Sequence, residues 1–136
     1  VLSAQYIAGL MDGEGSFFLS NSSSHYKGKT YAHKKGTVKF AVIHTPTNMA
    51  LMKEIQRFFA AGHIYFRPKR YFVGKGYSGS NPHAQIEWRV QAKIDVLRIC
   101  YALQPYLKIK RVKCDILIHY LKNTYIVPKG SIVVKR

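Results

Sequence analysis

Four stretches of this chain alternate apolar and polar residues at period two, and that pattern constrains the fold more than any other feature. Phe17 and Leu19 alternate with Phe18, Ser20 and Ser22; Val38, Phe40 and Val42 with Thr37, Lys39 and Ala41. Further on, Ile64 and Phe66 alternate with Tyr65, Arg67 and Lys69, and Ile86, Trp88 and Val90 with Gln85, Glu87, Arg89 and Gln91. Period two is the signature of a strand with one buried face. The segments between read as helices or turns. Ser3 to Met11 is a helix with Ser3 as N-cap, and Asp12-Gly13-Glu14-Gly15 follows, where two glycines end the helical pattern. A strand starts near Ser16, and the polar stretch from Asn21 to Gly36 suits a hairpin tip or a long exposed strand end. Thr45-Pro46 is an N-cap followed by proline at the first helical position, opening a helix that stops before Gly62. A glycine-rich loop runs from Gly74 to Asn81; Ile94 to Leu103 and Lys110 to Leu121 are helices separated near Pro105. The order α-β-β-α-β-β-α-α predicts an α+β fold, an antiparallel sheet with helices over one face. At 136 residues a single domain over 1–136 is expected, with a loose or strand-like tail from about residue 124.

The uncovered face then carries Ser20, Ser22, Lys35, Thr37, Lys39, Arg67, Lys69, Gln85, Glu87 and Arg89, with Gln91 at its margin. That set is polar and basic with one acid, whereas a merely solvated face mixes both signs. The whole chain repeats the bias: 22 Lys and Arg against six Asp and Glu give a net charge of +16, so the expected partner is a polyanion. No acid occurs between Glu14 and Glu54, or between Glu54 and Glu87, while lysines and arginines occur throughout both intervals. Strand side chains suit the major groove, where Arg and Lys reach guanine and Gln reaches adenine. Double-stranded DNA is therefore the expected partner, with an anionic membrane surface the weaker reading. No run approaches the roughly 18 apolar residues of a spanning helix. There is no basic n-region followed by an apolar run and a cleavage site. Cys100 and Cys114 have no zinc-binding spacing and read as buried thiols, and the six histidines are scattered. These features predict an intracellular, non-secreted protein in a DNA-containing compartment.

Asp12 and Glu14 stand out against that charge. Acids beside a polyanion repel it unless a cation lies between, so a carboxylate at the edge of such a face is a candidate Mg²⁺ ligand. A helix end with two solvated acids is the alternative from spacing alone. The stretch Ile7-Ala8-Gly9-Leu10-Met11-Asp12-Gly13-Glu14-Gly15, followed by Ser16-Phe17, resembles the signature of the LAGLIDADG homing endonucleases. Leu103-Gln104-Pro105-Tyr106-Leu107-Lys108-Ile109-Lys110 resembles the segment that carries that family's active-site lysine. The element order matches the family's αββαββαα fold, in which the sheet forms a DNA-binding saddle.

The resemblance implies roles residue by residue. Glu14 takes the place of the catalytic, metal-binding acid, where Asp is commoner, and Gly13 would offer its backbone carbonyl to the same Mg²⁺ or Mn²⁺. Asp12 would be structural, ending the helix and bonding nearby amides. Lys110 would sit near the scissile phosphate, although four basic residues between Lys108 and Lys113 also fit a solvated helix. His44 falls at the active-site edge, where the family often has a water-positioning amide, and Asn48 where some relatives carry a basic residue. The implied reaction is phosphodiester hydrolysis leaving 3′ overhangs.

The chain has one such motif, and cutting two strands needs two sites, so a homodimer is expected. Ala8, Gly9, Asp12 and Gly13 are the expected contacts, because Gly9 and Gly13 lie four apart on one helix face and admit a close backbone. A strand of about ten residues spans ~33 Å, so each copy covers about ten base pairs and the target is roughly palindromic. Two other functions use the same features: an RNA-binding maturase-like module assisting intron splicing, and an inert DNA-binding regulator. Glu14 and Lys110 argue against the regulator, and the narrow major groove of A-form RNA argues mildly against the maturase.

Overall fold

A computed structural model describes residues 2–68, 70–71, 80–81 and 83–123. The lysine at 69, the greater part of the glycine-rich loop and the tail from 124 lie outside the described residues. The chain runs α1 (Ala4–Glu14), β1 (Gly15–Tyr26), β2 (Lys29–Ile43), α2 (Pro46–Phe59), β3 (His63–Arg67), β4 (Arg70–Tyr71), β5 (Ser80–Asn81), β6 (Gln85–Val90), α3 (Lys93–Leu103) and α4 (Arg111–Lys122). The expected order is present, with the two-residue strands β4 and β5 pairing as a small ladder inside the second strand pair.

The helix starts follow the local chemistry. The Ser3 hydroxyl accepts the Tyr6 N–H at 3.1 Å and Thr45 accepts that of Asn48 at 3.0 Å, each filling a donor that the first turn leaves open. The end of α1 differs from expectation. Gly13 and Asp12 do not stop the helix, which continues to Glu14 and turns into β1 at Gly15. There the Gly15 N–H closes onto the Met11 carbonyl, and the Lys110 ammonium donates to the Gly15 carbonyl at 2.6 Å and reaches that of Met11 at 3.5 Å.

The main sheet has the order β1-β2-β6-β3, antiparallel throughout. The polar stretch from Asn21 to Gly36 is long strand on either side of a hairpin tip, a two-residue turn where Lys27 and Gly28 both have positive φ. One pleat phase faces the helices. Phe17, Val38, Phe40, Ile86, Trp88 and Val90 are buried there against Ile7, Ala8 and Met11 of α1, Met52, Ile55 and Phe59 of α2, and the inner faces of α3 and α4. The Trp88 indole stacks on Phe59 at 5.9 Å and donates to the Ala61 carbonyl at 2.9 Å. Gly62, at φ +92°, passes so near that a Cβ would fall 2.4 Å from the indole nitrogen. Cys100 and Cys114 are buried free thiols. Among the described residues no helix is long and apolar enough to cross a membrane.

Candidate functional site

The other pleat phase is open, and the register shows which residues share it. Ser16, Phe18, Ser20 and Ser22 of β1 lie opposite Lys39, Thr37, Lys35 and His33 of β2. Arg89 pairs with Lys39 and with His63, Glu87 with Ala41 and Tyr65, and Gln85 with Ile43 and Arg67. Every strand residue expected on this face occupies its phase, apart from Lys69, which lies outside the described residues. Two of them are nevertheless not surface groups. Thr37 is fully buried, its hydroxyl accepting the Gln91 amide at 3.3 Å, and Glu87 is 1% exposed beneath the long side chains around it.

The face also contains aromatic residues that the basic pattern did not single out. The Lys39 ammonium lies 5.5 Å from the centre of the Phe18 ring, and the Arg89 guanidinium lies 5.0 Å over Tyr65. Phe18 and Tyr65 belong to the polar phase of the alternation, so their position was available from periodicity. Ile43, exposed at the end of β2, adds an apolar contact point of the type that meets a thymine methyl.

At the head of β1, α1 delivers the acids. Glu14 is exposed, and among the described residues no hydrogen bond or ion pair engages its carboxylate. Asp12, two residues earlier, is fully committed within the chain. Its oxygens accept the backbone N–H groups of Lys108, Ile109 and Lys110 at 2.9–3.0 Å, nearly a hundred residues away. Burial works against ionisation of this carboxyl, but those three amides and the Lys110 charge outweigh it and hold its pKa below the ordinary aspartate value. Asp12 thus pins the approach to α4 rather than ending α1. The contact is reciprocal, since Lys110 turns its ammonium back onto the end of α1. The two segments singled out in sequence are brought together, with the Lys110 ammonium on the carbonyl of Gly15, the residue after Glu14.

His44 leaves β2 with its N–H donated to the Ala84 carbonyl at 2.8 Å and its exposed ring edge-on to Phe66 at 5.2 Å. Asn48 donates to the Ile43 carbonyl at 2.9 Å, closing the strand end, so its side-chain amide is held within the chain. On α1, Ala8 is entirely buried in the chain's own core and is unavailable to any partner, contrary to expectation. Gly9 and Gly13 are different: both are exposed, and a Cβ on either would meet nothing within 4 Å. Nothing among the described residues requires glycine at these positions.

The end of α1 suits a divalent cation. Beyond Met11, whose carbonyl takes the Gly15 N–H, a helix end leaves carbonyls without intrahelical partners, and the helix dipole favours positive charge there. One carboxylate and one backbone carbonyl, Glu14 and Gly13, match what Mg²⁺ takes from a protein when water and phosphate supply the rest. Among the described residues no three His, Cys, Asp or Glu side chains cluster to hold a metal.

Comparison with known proteins gives the family and the fold. The profile of the family described as LAGLIDADG endonuclease matches residues 7–80, more than half of the chain. Among solved structures, the homing endonuclease I-CvuI superposes with a TM-score of 0.64 at 18% identity, over 88% of this chain and 66% of that one. It was crystallised on its DNA target with Ca²⁺, and with Mg²⁺ on another target that was not cleaved. I-TnaI, also a homing endonuclease, gives 0.62 at 17% identity over 89% and 72% of the two chains. I-GzeII, bound to its DNA target, gives 0.62 at 18% over 90% and 36%. At such identities the likeness shows the fold, and the chain spans just under two thirds of I-CvuI and about a third of I-GzeII. No curated protein sequence matches it.

Proposed function

This chain belongs to the LAGLIDADG endonuclease family, and from that premise we propose that it is a site-specific DNA endonuclease of the intron-homing type. In this reading it acts as a homodimer with Mg²⁺ or Mn²⁺ on a long, near-palindromic duplex, leaving 3′ overhangs. The observation that carries the reading is the Glu14 carboxylate, without a partner among the described residues, at the α1–β1 junction where Lys110 donates to the Gly15 carbonyl.

Each part of the chemistry has a residue. The sheet face docks on the duplex, Lys35 and Lys39 meeting phosphate or base edges and Arg67, Arg89 and Gln85 reaching bases. Glu14 and the Gly13 carbonyl would hold the divalent ion, which would supply charge neutralisation at the scissile phosphate and an activated water. Lys110 is fixed by the Gly15 carbonyl, so its remaining N–H groups are oriented toward charge that develops on the phosphate. His44, exposed at the exit of β2, is suited to orient the attacking water. Asp12 acts only through Lys110, by holding the segment that precedes α4.

Two active sites come from two copies. With Gly9 and Gly13 exposed and without neighbours, a second α1 can lie against the first, bringing both Glu14 carboxylates near the dyad. Like charges that close need shared cations. The test is a cleavage selection on a randomised duplex library, with Mg²⁺ and with chelator. Recovery of one long near-palindrome, cut only with metal, supports the proposal; binding without cleavage in every condition contradicts it.

A further inference from the structure

Among the described residues the strands hold a single acid, Glu87, and it sits where it is least expected. A carboxylate on a face that binds a polyanion subtracts a unit of attraction, and burying it costs free energy unless it is paired. Glu87 is paired three ways. Its Oε2 accepts from Arg89 through Nε at 2.6 Å and Nη2 at 2.5 Å. Its Oε1 lies 2.7 Å from Arg67 Nη2 and 3.9 Å from Lys39 Nζ. The three cations come from three strands, β2, β3 and β6, and their side chains are 29–42% exposed while that of Glu87 is 1% exposed.

The donors that stay free define what the cluster does. Arg89 spends one edge of its guanidinium on Glu87 and rests its plane over Tyr65, which leaves the Nη1 end facing away from the carboxylate. Among the described residues Arg67 is tied through Nη2 alone, and Oε1 has no well-directed hydrogen bond, so most of the Arg67 fork is unspent there. An arginine ordered before binding loses less conformational freedom when it meets a base.

We propose that Glu87 is a positioning residue for base recognition. It makes no contact with DNA; it holds the Arg67 and Arg89 forks outward and apart, so that guanine is read at the base pairs they face. This rests on reading the open face as the duplex-binding surface. Glu87 therefore raises specificity at the expense of general affinity, and its removal should move the two in opposite directions.

A binding selection on a randomised duplex pool, repeated over a salt series, separates these effects for wild type and Glu87→Gln. In the variant, guanine preference at the affected positions should fall about tenfold. Binding to random duplex should rise, with a salt slope steeper by about one unit, because one more cationic charge is left uncompensated. Unchanged guanine preference in a folded Glu87→Gln protein would overturn the proposal, as a merely structural acid would lower the melting temperature and leave base choice alone. Arg67→Lys and Arg89→Lys keep the charge but lose the fork. They should lose the same preferences, and retention of guanine by both would also overturn it, even if Glu87→Gln did not fold. If wild type enriched no duplex at all, the DNA reading itself would fail, an outcome distinct from loss of the positioning role.

Discussion

Asp12 and Glu14 are two residues apart, carry the same charge and have opposite fates, which shows how much a single side chain's surroundings decide. Asp12 meets three amides and becomes a brace; Glu14 meets no partner among the described residues and stays available. Replacing Asp12 by Ala should cost about 1–3 kcal/mol, the scale of hydrogen bonds to a charged acceptor, and is measured by denaturant unfolding. The pH dependence has a definite sign. A carboxyl whose pKa is depressed on folding contributes fully above its unfolded value, near 3.8, and loses that contribution as pH falls through the folded value. The stability gap between wild type and Asp12→Asn should therefore be widest near neutral pH and narrow below about 3.8. That Asp12 is structural was legible from the motif, but its partners were not. They lie nearly a hundred residues downstream, and no local pattern names them. The same limit hid the burial of Glu87, because alternation assigns a residue to a face but does not say which neighbours lie over it.

At the level of elements, local chemistry was a good guide wherever the determining contacts were local. The caps at Ser3 and Thr45, the proline at the start of α2 and the breaks before α3 and α4 all fall where the sequence puts them. Thr45→Ala should lower stability by about 1 kcal/mol through the lost cap. The end of α1 was misplaced because glycine was read as a stop signal. In the fold, Gly13 is an ordinary helical residue, and the Gly15 N–H closes the helix onto the Met11 carbonyl. Gly62 is the opposite case, a glycine that the fold requires. With φ at +92° and the Trp88 indole against its missing side chain, Gly62→Ala should destabilise by several kcal/mol in a thermal melt, on the scale of overpacking combined with backbone strain.

The whole molecule is organised as a basic sheet face with a helix end at its rim, and the helix end carries an unused surface. Gly9 separates the contribution of the single chain from that of a pair. Glycine inside a helix is less stable than alanine by about 1 kcal/mol, and a Cβ here has open space, so Gly9→Ala should raise the melting temperature of the isolated chain. Gly9→Leu should keep the fold and abolish pairing, read by sedimentation, and double-strand cleavage should go with it. If Gly9→Leu paired and cut as wild type does, the copies would have to meet elsewhere. The charge of the face makes a companion prediction: affinity for duplex should fall steeply with salt, as it does when several phosphates are neutralised together.

The central claim is that the face binds and Glu14 cuts, and one variant separates the two. On the duplex recovered by selection, binding and single-turnover cleavage by Glu14→Gln should be compared with wild type in Mg²⁺. The account predicts affinity within a few-fold of wild type and cleavage reduced by about a thousandfold or more, the order expected when a metal-holding carboxylate is lost from a site of electrostatic catalysis. Cleavage at the wild-type rate, with binding intact, would contradict it.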